Sequence, residues 1–326
     1  MAFHTLNLTT AARIAEVSEE TYGFITRAAW SPSGKTLAVG YGGGVMLWQG
    51  GFGGEPDAHF KHTAPIRDIA FSPDGKWLAA ASGDTNVYIL DTQSLNIITS
   101  FQGADSADCV TVSPDGRMLI AGYASGLLRR FDLKTHQQAD AAAHQAEISR
   151  LAFSTPTRLL SGSRDGMLNL WEVGSFTVID SLQRVAEMDR ALWASVNKLQ
   201  ETDAGSPPLR PVWVKDISIY QDRAAVAWKD GMIMLYSLAE RTLVQTHSFE
   251  GHKGGVDSLT FSSDGSLLAS GGRDQRIKLW GTDRRELLST LTGHRKPILT
   301  LAFAVNDLFL ISGGGDNALK LWGVES

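Results

Sequence analysis

Three sets of histidine, serine, aspartate and tryptophan recur in this sequence with nearly the same spacing. They are His144/Ser161/Asp165/Trp171, His252/Ser270/Asp274/Trp280 and His294/Ser312/Asp316/Trp322. In each set Asp follows Ser by four residues and Trp follows Asp by six, while His precedes Ser by 17, 18 and 18 residues. His, Ser and Asp are the residue types of a hydrolase triad, in which histidine takes a proton from serine. An enzyme needs one such triad, so three copies at a fixed spacing favour a structural role.

Other residues with the potential for chemistry lack the spacing that the chemistry requires. The segment GKT at 34–36 resembles the end of a phosphate-binding loop, but Ala29 stands where the first glycine belongs. His59 and His62 are three residues apart, without the further His or Cys cluster that a metal site needs. We therefore predict no enzyme activity, no cofactor and no metal site.

The closing tryptophans belong to a repeat that runs through the sequence. The segments SGSRDGMLNLW (161–171), SGGRDQRIKLW (270–280) and SGGGDNALKLW (312–322) align without gaps. The positions equivalent to the closing Trp are 48, 90, 131, 171, 236, 280 and 322. Their successive differences of 42, 41, 40, 65, 44 and 42 indicate seven copies, with about 23 extra residues between the fourth and fifth.

Each copy has the pattern of four short strands joined by tight turns. In one copy VDSLTFS (256–262) leads through the turn SSDG (262–265) to three further strands ending in ELLSTLT (286–292). A sheet this small cannot bury both of its faces alone, whereas seven sheets packed around an axis can. The repeat resembles the WD40 β-propeller family over nearly the whole chain. The resemblance implies an all-β, seven-bladed propeller that forms a single domain over residues 1–326.

The resemblance also assigns a role to the three recurring sets. In that family the His, Ser, Asp and Trp of one blade form a buried hydrogen-bonded network. Such a network has to be complete, because each unpaired buried polar group costs about 1–3 kcal/mol. The second copy carries Ala80 and Leu90 at the Ser and Trp positions, which predicts apolar packing there. It nevertheless keeps His62 and Asp84, which this pattern leaves unexplained.

The two ends of the sequence predict how the ring closes. The seventh copy lacks a fourth strand, since only GVES follows Trp322. The segment ARIAEV (12–17) precedes the first inner strand and has no copy of its own. We expect it to supply the missing strand and so remove an open sheet edge. Deletion of residues 1–18 should then destabilise the whole molecule.

The resemblance further indicates the face on which a partner would bind. Arg164, Lys229 and Arg273 precede the Asp position in three consecutive copies, and Lys215 begins the fifth inner strand. We expect these four cations, called here the basic sector, to lie together beside Asp257 on the face that commonly binds peptides in this family. The sector predicts protein partners with acidic or phosphorylated segments, and contact with nucleic acid only indirectly or through these cations. The alternative is that they are solvated loop tips.

The 65-residue interval predicts a helical insertion on the same face, between blades 4 and 5. The insertion spans residues 183–211, and ETDAGSPPLRP (201–211) is its return loop. An apolar stripe at steps of three and four residues is the pattern of an amphipathic helix: Val185, Met188, Leu192, Val196 and Leu199. We expect the stripe either to cover blade 5 or to dock a partner, with Arg190 and Trp193 as outward contacts.

Composition narrows the class of function. The chain is 43% hydrophobic and 20% charged with a net charge of −5, which fits a globular protein and gives no general reason for nucleic-acid binding. A single cysteine excludes an intrachain disulfide, and without a signal peptide or a membrane span we expect a cytoplasmic protein. The best interpretation is a non-catalytic protein-interaction scaffold, a subunit of a larger protein or ribonucleoprotein complex. The alternatives are a propeller hydrolase with its site at the central channel, and a subunit that contacts nucleic acid through the basic sector.

Overall fold

A recurring four-residue turn starts the second strand of most sheets. In SPDG at 72–75 the Ser72 hydroxyl donates a hydrogen bond to the Asp74 carboxylate at 2.8 Å, and Gly75 adopts a φ of +69°. That left-handed conformation favours glycine, so the hairpin is defined locally by its sequence.

The computed structural model describes residues 3–187 and 207–325.

The strands begin with two short N-terminal elements, β1 (Phe3–His4) and β2 (Ala15–Thr21), separated by the 3₁₀ turn Ala11–Arg13. The first three blades contain β3 (Ile25–Trp30), β4 (Thr36–Tyr41), β5 (Gly44–Gln49) and β6 (Ala58–Lys61) in blade 1; β7 (Ile66–Phe71), β8 (Trp77–Ser82), β9 (Asn86–Asp91) and β10 (Ile97–Gln102) in blade 2; and β11 (Ala107–Val112), β12 (Met118–Tyr123), β13 (Leu127–Asp132) and β14 (Gln138–Ala142) in blade 3.

The remaining blades follow the same order, with a short ribbon between blades 4 and 5. They contain β15 (Ile148–Thr155), β16 (Arg158–Ser163), β17 (Met167–Glu172) and β18 (Thr177–Gln183) in blade 4; β19 (Val185–Glu187) and β20 (Leu209–Pro211) in the ribbon; β21 (Val214–Tyr220), β22 (Arg223–Trp228), β23 (Met232–Ser237) and β24 (Val244–Glu250) in blade 5; β25 (Val256–Phe261), β26 (Leu267–Gly272), β27 (Arg276–Gly281) and β28 (Glu286–Thr292) in blade 6; and β29 (Ile298–Phe303), β30 (Phe309–Gly314) and β31 (Ala318–Glu325) in blade 7.

The blades form a closed ring around an axis. Each inner strand contacts the inner strand of the next blade, and the last contact, between β29 and β3, returns to blade 1. The second strand of each blade is almost completely buried, as in β26, because neighbouring blades cover both faces of the sheet. Side chains limit this packing closely: a Cβ at Gly271 would lie 2.5 Å from the Ile298 side chain of the next blade. The predicted all-β, seven-bladed propeller is confirmed.

The ring is closed by the N-terminal strand, as predicted, with different boundaries. Strand β2 pairs antiparallel with β31, from Ala15 opposite Gly323 to Thr21 opposite Ala318. The strand therefore covers 15–21, whereas the prediction placed it at 12–17. The buried Lys320 side chain on β31 holds β2 through contacts of 2.9 Å to Glu16 and 2.7 Å to Glu19.

The structure does not support the predicted helical insertion. Residues 177–183 continue the outer strand of blade 4, and β19 then pairs with β20, with Val185 opposite Pro211. The prediction of a helix over residues 182–200 is therefore wrong at 182–187, where the end of β18 and the ribbon strand β19 form instead and Val185 is exposed. The predicted positions Met188, Leu192, Val196 and Leu199 lie outside the described residues. Within the described ranges no segment forms an α-helix.

Candidate partner-binding site

The three recurring His–Ser–Asp–Trp sets form the same chain of hydrogen bonds. In blade 6 the Trp280 indole donates to Ser270 Oγ at 2.8 Å, while His252 lies 2.8 Å from Ser270 and 2.8 Å from Asp274. This pattern gives histidine a neutral state, with a proton on Nδ1 facing the carboxylate and a lone pair on Nε2 accepting from serine.

Blades 4 and 7 repeat this geometry. His144 and His294 lie 2.7 Å from Ser161 and Ser312, and Trp171 and Trp322 donate to the same serines at 2.9 and 2.8 Å. The three serines are fully buried, so no substrate can reach their hydroxyl groups. Burial also lowers the pKa of His252 and His294 below the ordinary value. The sets hold their blades together and do not form an active site.

Blade 2 uses a different network around its histidine. Tyr88 donates a hydrogen bond from its hydroxyl to Asp84 at 2.6 Å and lies 3.2 Å from His62 Nε2. His62 Nδ1 faces the Ala64 carbonyl at 2.9 Å. Tyr88 thus takes the place of the missing serine and tryptophan, which explains why His62 and Asp84 are present without them.

The centre of the ring contains four charged residues that span the channel. They occupy the same position in four inner strands and are called here the axial tetrad: Arg27, Asp68, Arg150 and Asp216. Arg150 lies 2.9 Å from Asp68 and 2.8 Å from Asp216, while Arg27 lies 3.4 Å from Asp216 and 3.7 Å from Asp68. The tetrad therefore links blades 1, 2, 4 and 5 across the axis.

The tetrad also connects to the main chain of neighbouring blades. Asp68 accepts a hydrogen bond from the Val110 amide at 3.1 Å, and Asp216 accepts one from the Leu259 amide at 2.9 Å. Burial opposes ionisation of Asp216, but Arg27 and Arg150 outweigh it and hold its pKa below the ordinary value. The carboxylates are therefore fully partnered, as buried charges must be.

Above the tetrad, a cavity of about 430 Å³ opens at one face of the ring, called here the mouth face. Its rim includes Phe24, Arg67, Asp108, Glu147 and Arg164. Burial raises the pKa of Asp108, and burial together with the Asp108 charge raises the pKa of Glu147. The mouth is thus a partly dehydrated surface on which charges of both signs lie close together.

The structure brings the four residues of the basic sector to the mouth face. Arg164 and Lys215 line the cavity, and Arg164 lies 2.9 Å from Glu147. Lys215 and Arg273 share Asp257, at 3.2 and 3.1 Å. These two carboxylates make the basic sector less positive than four free cations would be. The sequence predicted Asp257 at this place but did not predict Glu147.

Lys229 differs from the other three cations because it has no ion pair within the described residues. Burial lowers its pKa, and the positive charges of Arg273, Lys215 and Arg164 lower it further, against the opposing effect of Asp257. A bound anion at this point would relieve the repulsion among the cations.

Two exposed aromatic side chains stand at the mouth. Phe24 is 55% exposed and Trp213 is 37% exposed. The Arg164 guanidinium lies 4.8 Å from the centre of the Trp213 ring, so the aromatic face is fixed by a cation–π contact. Trp213 follows the ribbon, which ends at Pro211, and the ribbon exposes Val185 and Leu209 beside it. Arg190 and Trp193, the predicted contacts of the insertion, lie outside the described residues.

Comparison with known families agrees with this geometry. Five segments match the family described as WD domain, G-beta repeat, and together they cover more than half of the chain: residues 14–49, 54–91, 137–172, 243–281 and 285–323. The chain belongs to the WD40-repeat family.

This WD40 propeller is similar to curated proteins from animals and yeast. It is 21% identical over 256 residues to the serine-threonine kinase receptor-associated protein of Gallus gallus, covering 74% of this chain and 73% of that protein. The protein of the same name from Bos taurus matches to the same extent. The poly(A)+ RNA export protein of Schizosaccharomyces pombe is 24% identical over 261 residues, with 69% of this chain and 74% of that protein covered.

Two further findings concern residues 3–187 and 207–325 of the WD40 propeller. No helix there is both long and apolar enough to cross a bilayer. No three or more His, Cys, Asp or Glu side chains gather there in a group suited to a metal ion. The cytoplasmic location stays a prediction.

Phe24, Glu147 and Trp213 at the mouth were not predicted, although the repeat contains the signal for them. Phe24, Glu147 and Trp213 occupy one repeat position, directly before the inner strand of their blades. That position holds Pro65 and Pro297 in blades 2 and 7. A comparison of this position across the seven copies would have placed all three at one end of the inner strands.

Proposed function

We propose that this WD40 propeller is a non-catalytic scaffold that binds a protein partner on its mouth face, as a subunit of a larger protein or ribonucleoprotein complex. The observation that supports this most directly is the juxtaposition of Phe24 and Trp213 with arginines around a partly buried cavity. Aromatic side chains and arginine are the residues that contribute most binding energy at protein interfaces.

The partner presents an acidic or phosphorylated group to the basic sector. Four cations meet two carboxylates there, Glu147 and Asp257, and Lys229 lacks an ion pair in the described part of the chain. An anionic group beside Lys229 and Arg273 would gain charge-assisted hydrogen bonds without displacing the existing ion pairs. Charge complementarity of this kind supplies orientation and association rate, while the aromatic residues supply affinity.

The names of the relatives support a role as a subunit of a protein or ribonucleoprotein complex. One relative is named for association with a kinase receptor and another for export of poly(A)+ RNA. Both names fit a subunit that works by binding, and the second fits a ribonucleoprotein complex. Direct contact with RNA through the basic sector is the second candidate, and its affinity would fall steeply with salt concentration because counterions are released.

The alternative function is a hydrolase with its site at the channel, and substitution of the carboxylates at the mouth tests it. Burial raises the pKa of both Asp108 and Glu147, a shift that also occurs in catalytic acids. Their neighbouring arginines and the closed axial tetrad below them fit an interface better. Hydrolysis of p-nitrophenyl esters or phosphates that disappears in both Asp108→Asn and Glu147→Gln would favour the enzyme.

The experiment is quantitative affinity capture with the intact chain and three variants. Lys229→Glu/Arg273→Glu reverses the basic sector, Trp213→Ala removes the aromatic contact, and Lys76→Glu is a charge-reversal control on an exposed side chain in blade 2. We expect a specific partner to be reduced at least about tenfold by each mouth variant and unchanged by the control. Equal recovery with all four proteins would contradict the proposal.

A further inference from the structure

A second candidate binding surface lies on the rim of the ring, between blades 2 and 3. It is a largely apolar groove of about 380 Å³, lined by Trp77, Ile89, Ile98, Thr99 and Phe101 of blade 2 and by Leu133 and His136 of blade 3. Trp77 begins β8, whereas the mouth residue Arg164 follows the end of β16. The groove therefore lies toward the end of the blades opposite the mouth face, and its exposed residues do not take part in the proposed mouth interface.

Each blade repeats the positions that form this groove, so other blades show how it can be filled. Strand pairing makes the correspondence with blades 6 and 7 unambiguous, since Ile98 and Leu288 are both the unpaired residue at a bulge in the outer strand. The equivalent residues are Trp77 and Leu267, Ile89 and Leu279, Ile98 and Leu288, Phe101 and Leu291, and Leu133 and Val324.

In the groove between blades 6 and 7 the chain provides its own occupant. The segment between β1 and β2 packs Leu6, Ala11 and Ile14 into one hydrophobic cluster with Leu279 and its neighbours. Leu6 is only 1% exposed, and its amide donates a hydrogen bond to the Asp307 carbonyl at 2.6 Å. A short peptide with spaced aliphatic side chains and one 3₁₀ turn is therefore a ligand that this groove geometry binds.

Two other grooves are closed by a single residue of the following blade, four positions after the third strand. Leu95 covers the groove of blade 1 and is buried beside Leu47. Phe176 covers the groove of blade 3, where the Arg130 guanidinium lies 5.1 Å from its ring. In the groove between blades 2 and 3 this position is His136, which is exposed. The position that covers the neighbouring grooves is thus a polar, exposed residue here, and it lines the groove without closing it.

We infer that the groove between blades 2 and 3 binds a short segment of a partner protein with spaced aliphatic side chains, in the manner in which residues 5–14 fill the groove between blades 6 and 7. The outer strand β10, IITSFQ, carries no charge, and Ile97 and Ile98 are 52% and 59% exposed. A second copy of this chain is a poorer occupant, because its Leu6 is already buried in its own molecule.

The probe is a fluorescein-labelled peptide with the sequence of residues 4–15, HTLNLTTAARIA, added to the full chain. Because the intramolecular segment occupies the groove between blades 6 and 7, we expect saturable binding at the groove between blades 2 and 3, with a dissociation constant below about 1 mM. A peptide with Asp at the position of Leu6 should not bind, since a charge would enter an apolar site. A benzophenone group at the position of Leu8 should cross-link to blades 2 and 3.

Adjacent isoleucines supply matched variants of the protein. Ile98→Asp should weaken peptide binding at least about tenfold, because Ile98 lines the groove, whereas Ile97→Asp should change it less than about twofold. Both side chains are exposed, so both variants should keep the melting temperature of the parent protein. The mouth variants Lys229→Glu/Arg273→Glu should bind the peptide normally, which separates this inference from the proposed function.

Several results would overturn the inference. These are absence of saturation up to about 1 mM peptide, equal loss in the two isoleucine variants, and cross-links confined to blades 6 and 7. Self-association of the full chain that Ile98→Asp abolishes would overturn it too, because the occupant would then be a second copy.

Discussion

At the scale of single residues, the Trp–Ser–His–Asp chains show why residues typical of catalysis can serve only packing. Ser270 is fully buried, and its hydroxyl connects the indole of Trp280 with the imidazole of His252. Every hydrogen-bond donor among Trp280, Ser270 and His252 has an acceptor in this network. Removal of the central hydroxyl therefore affects two partners at once.

Ser270→Ala should lower the free energy of unfolding by about 1–3 kcal/mol, because it leaves the Trp280 N–H and His252 Nε2 without partners. In a double-mutant cycle Ser270→Ala/Trp280→Phe should cost less than the sum of the two single changes, since the second change removes an orphaned donor. Urea denaturation gives the free energy of unfolding of the parent protein, the two single variants and the double variant. Strict additivity would show that the hydrogen bond contributes nothing.

The same networks predict a dependence of stability on pH. Burial lowers the pKa of His252 and His294 from the ordinary 6.5, so below that pH the unfolded chain binds more protons than the folded chain. The free energy of unfolding should therefore fall as the pH is lowered from 7.5 to 5.5. His252→Gln should reduce this slope when urea denaturation is compared at the two pH values. An unchanged slope would contradict the assignment of neutral histidines.

At the scale of elements, the N-terminal segment has two separable roles. Residues 15–21 complete blade 7, and residues 5–14 fill the groove between blades 6 and 7. The deletion of residues 1–18 removes the groove-filling residues 5–14 and four of the seven residues of β2. Its melting temperature should be clearly lower than that of the intact chain, and equality would contradict closure by this strand.

Leu6 and Leu8 distinguish packing in the groove from strand pairing. Leu6 is 1% exposed and Leu8 is 44% exposed, although both lie in the same short segment. Leu6→Ala should lower the free energy of unfolding by about 2–5 kcal/mol, while Leu8→Ala should have a small effect. Chemical denaturation measures both. Similar values for the two variants would mean that the segment is not anchored through Leu6.

The success of sequence reasoning also differs by element. The seven blades and the closing strand were predicted from a repeat with nearly uniform spacing. An ambiguous strand in one copy could therefore be assigned from the equivalent strand in the other copies. The insertion has no second copy, and its assignment depended on apolar spacing alone. At Val185 that spacing coincides with a two-stranded ribbon, because β19 pairs antiparallel with β20 and so provides a non-helical arrangement of the same segment. Apolar periodicity alone does not distinguish an amphipathic helix from a two-stranded ribbon here.

At the scale of the whole molecule, the axial tetrad connects blades 1, 2, 4 and 5 across the channel by ion pairs. Its four members are separated by 41, 82 and 66 residues in sequence, so no local motif contains them. They nevertheless share one position in the repeat, because each is the third residue of its inner strand. A comparison of that position across the copies finds two arginines and two aspartates, and only the closed ring shows that they meet.

Arg150→Met should be among the most destabilising single changes in the molecule. It leaves Asp68 and Asp216 with fewer partners in a buried site, a loss of about 3–5 kcal/mol for a buried ion pair that loses one member. Lys76→Met, which removes an exposed cation 3.8 Å from Asp74, should cost less than about 1 kcal/mol. Thermal and urea unfolding compare the two, and equal effects would contradict a structural role for the tetrad.

Closure by β2 also constrains the order of events during synthesis. Strand β2 is made about 300 residues before its partner β31, so β2 has no edge to pair with until β31 has been synthesised. The ring then closes through a contact between two segments about 300 residues apart, the kind of long-range pairing that slows folding. Until that moment blade 7 has an open edge of the type that templates aggregation. Nascent chains of this protein should therefore depend on chaperones until the last strand emerges.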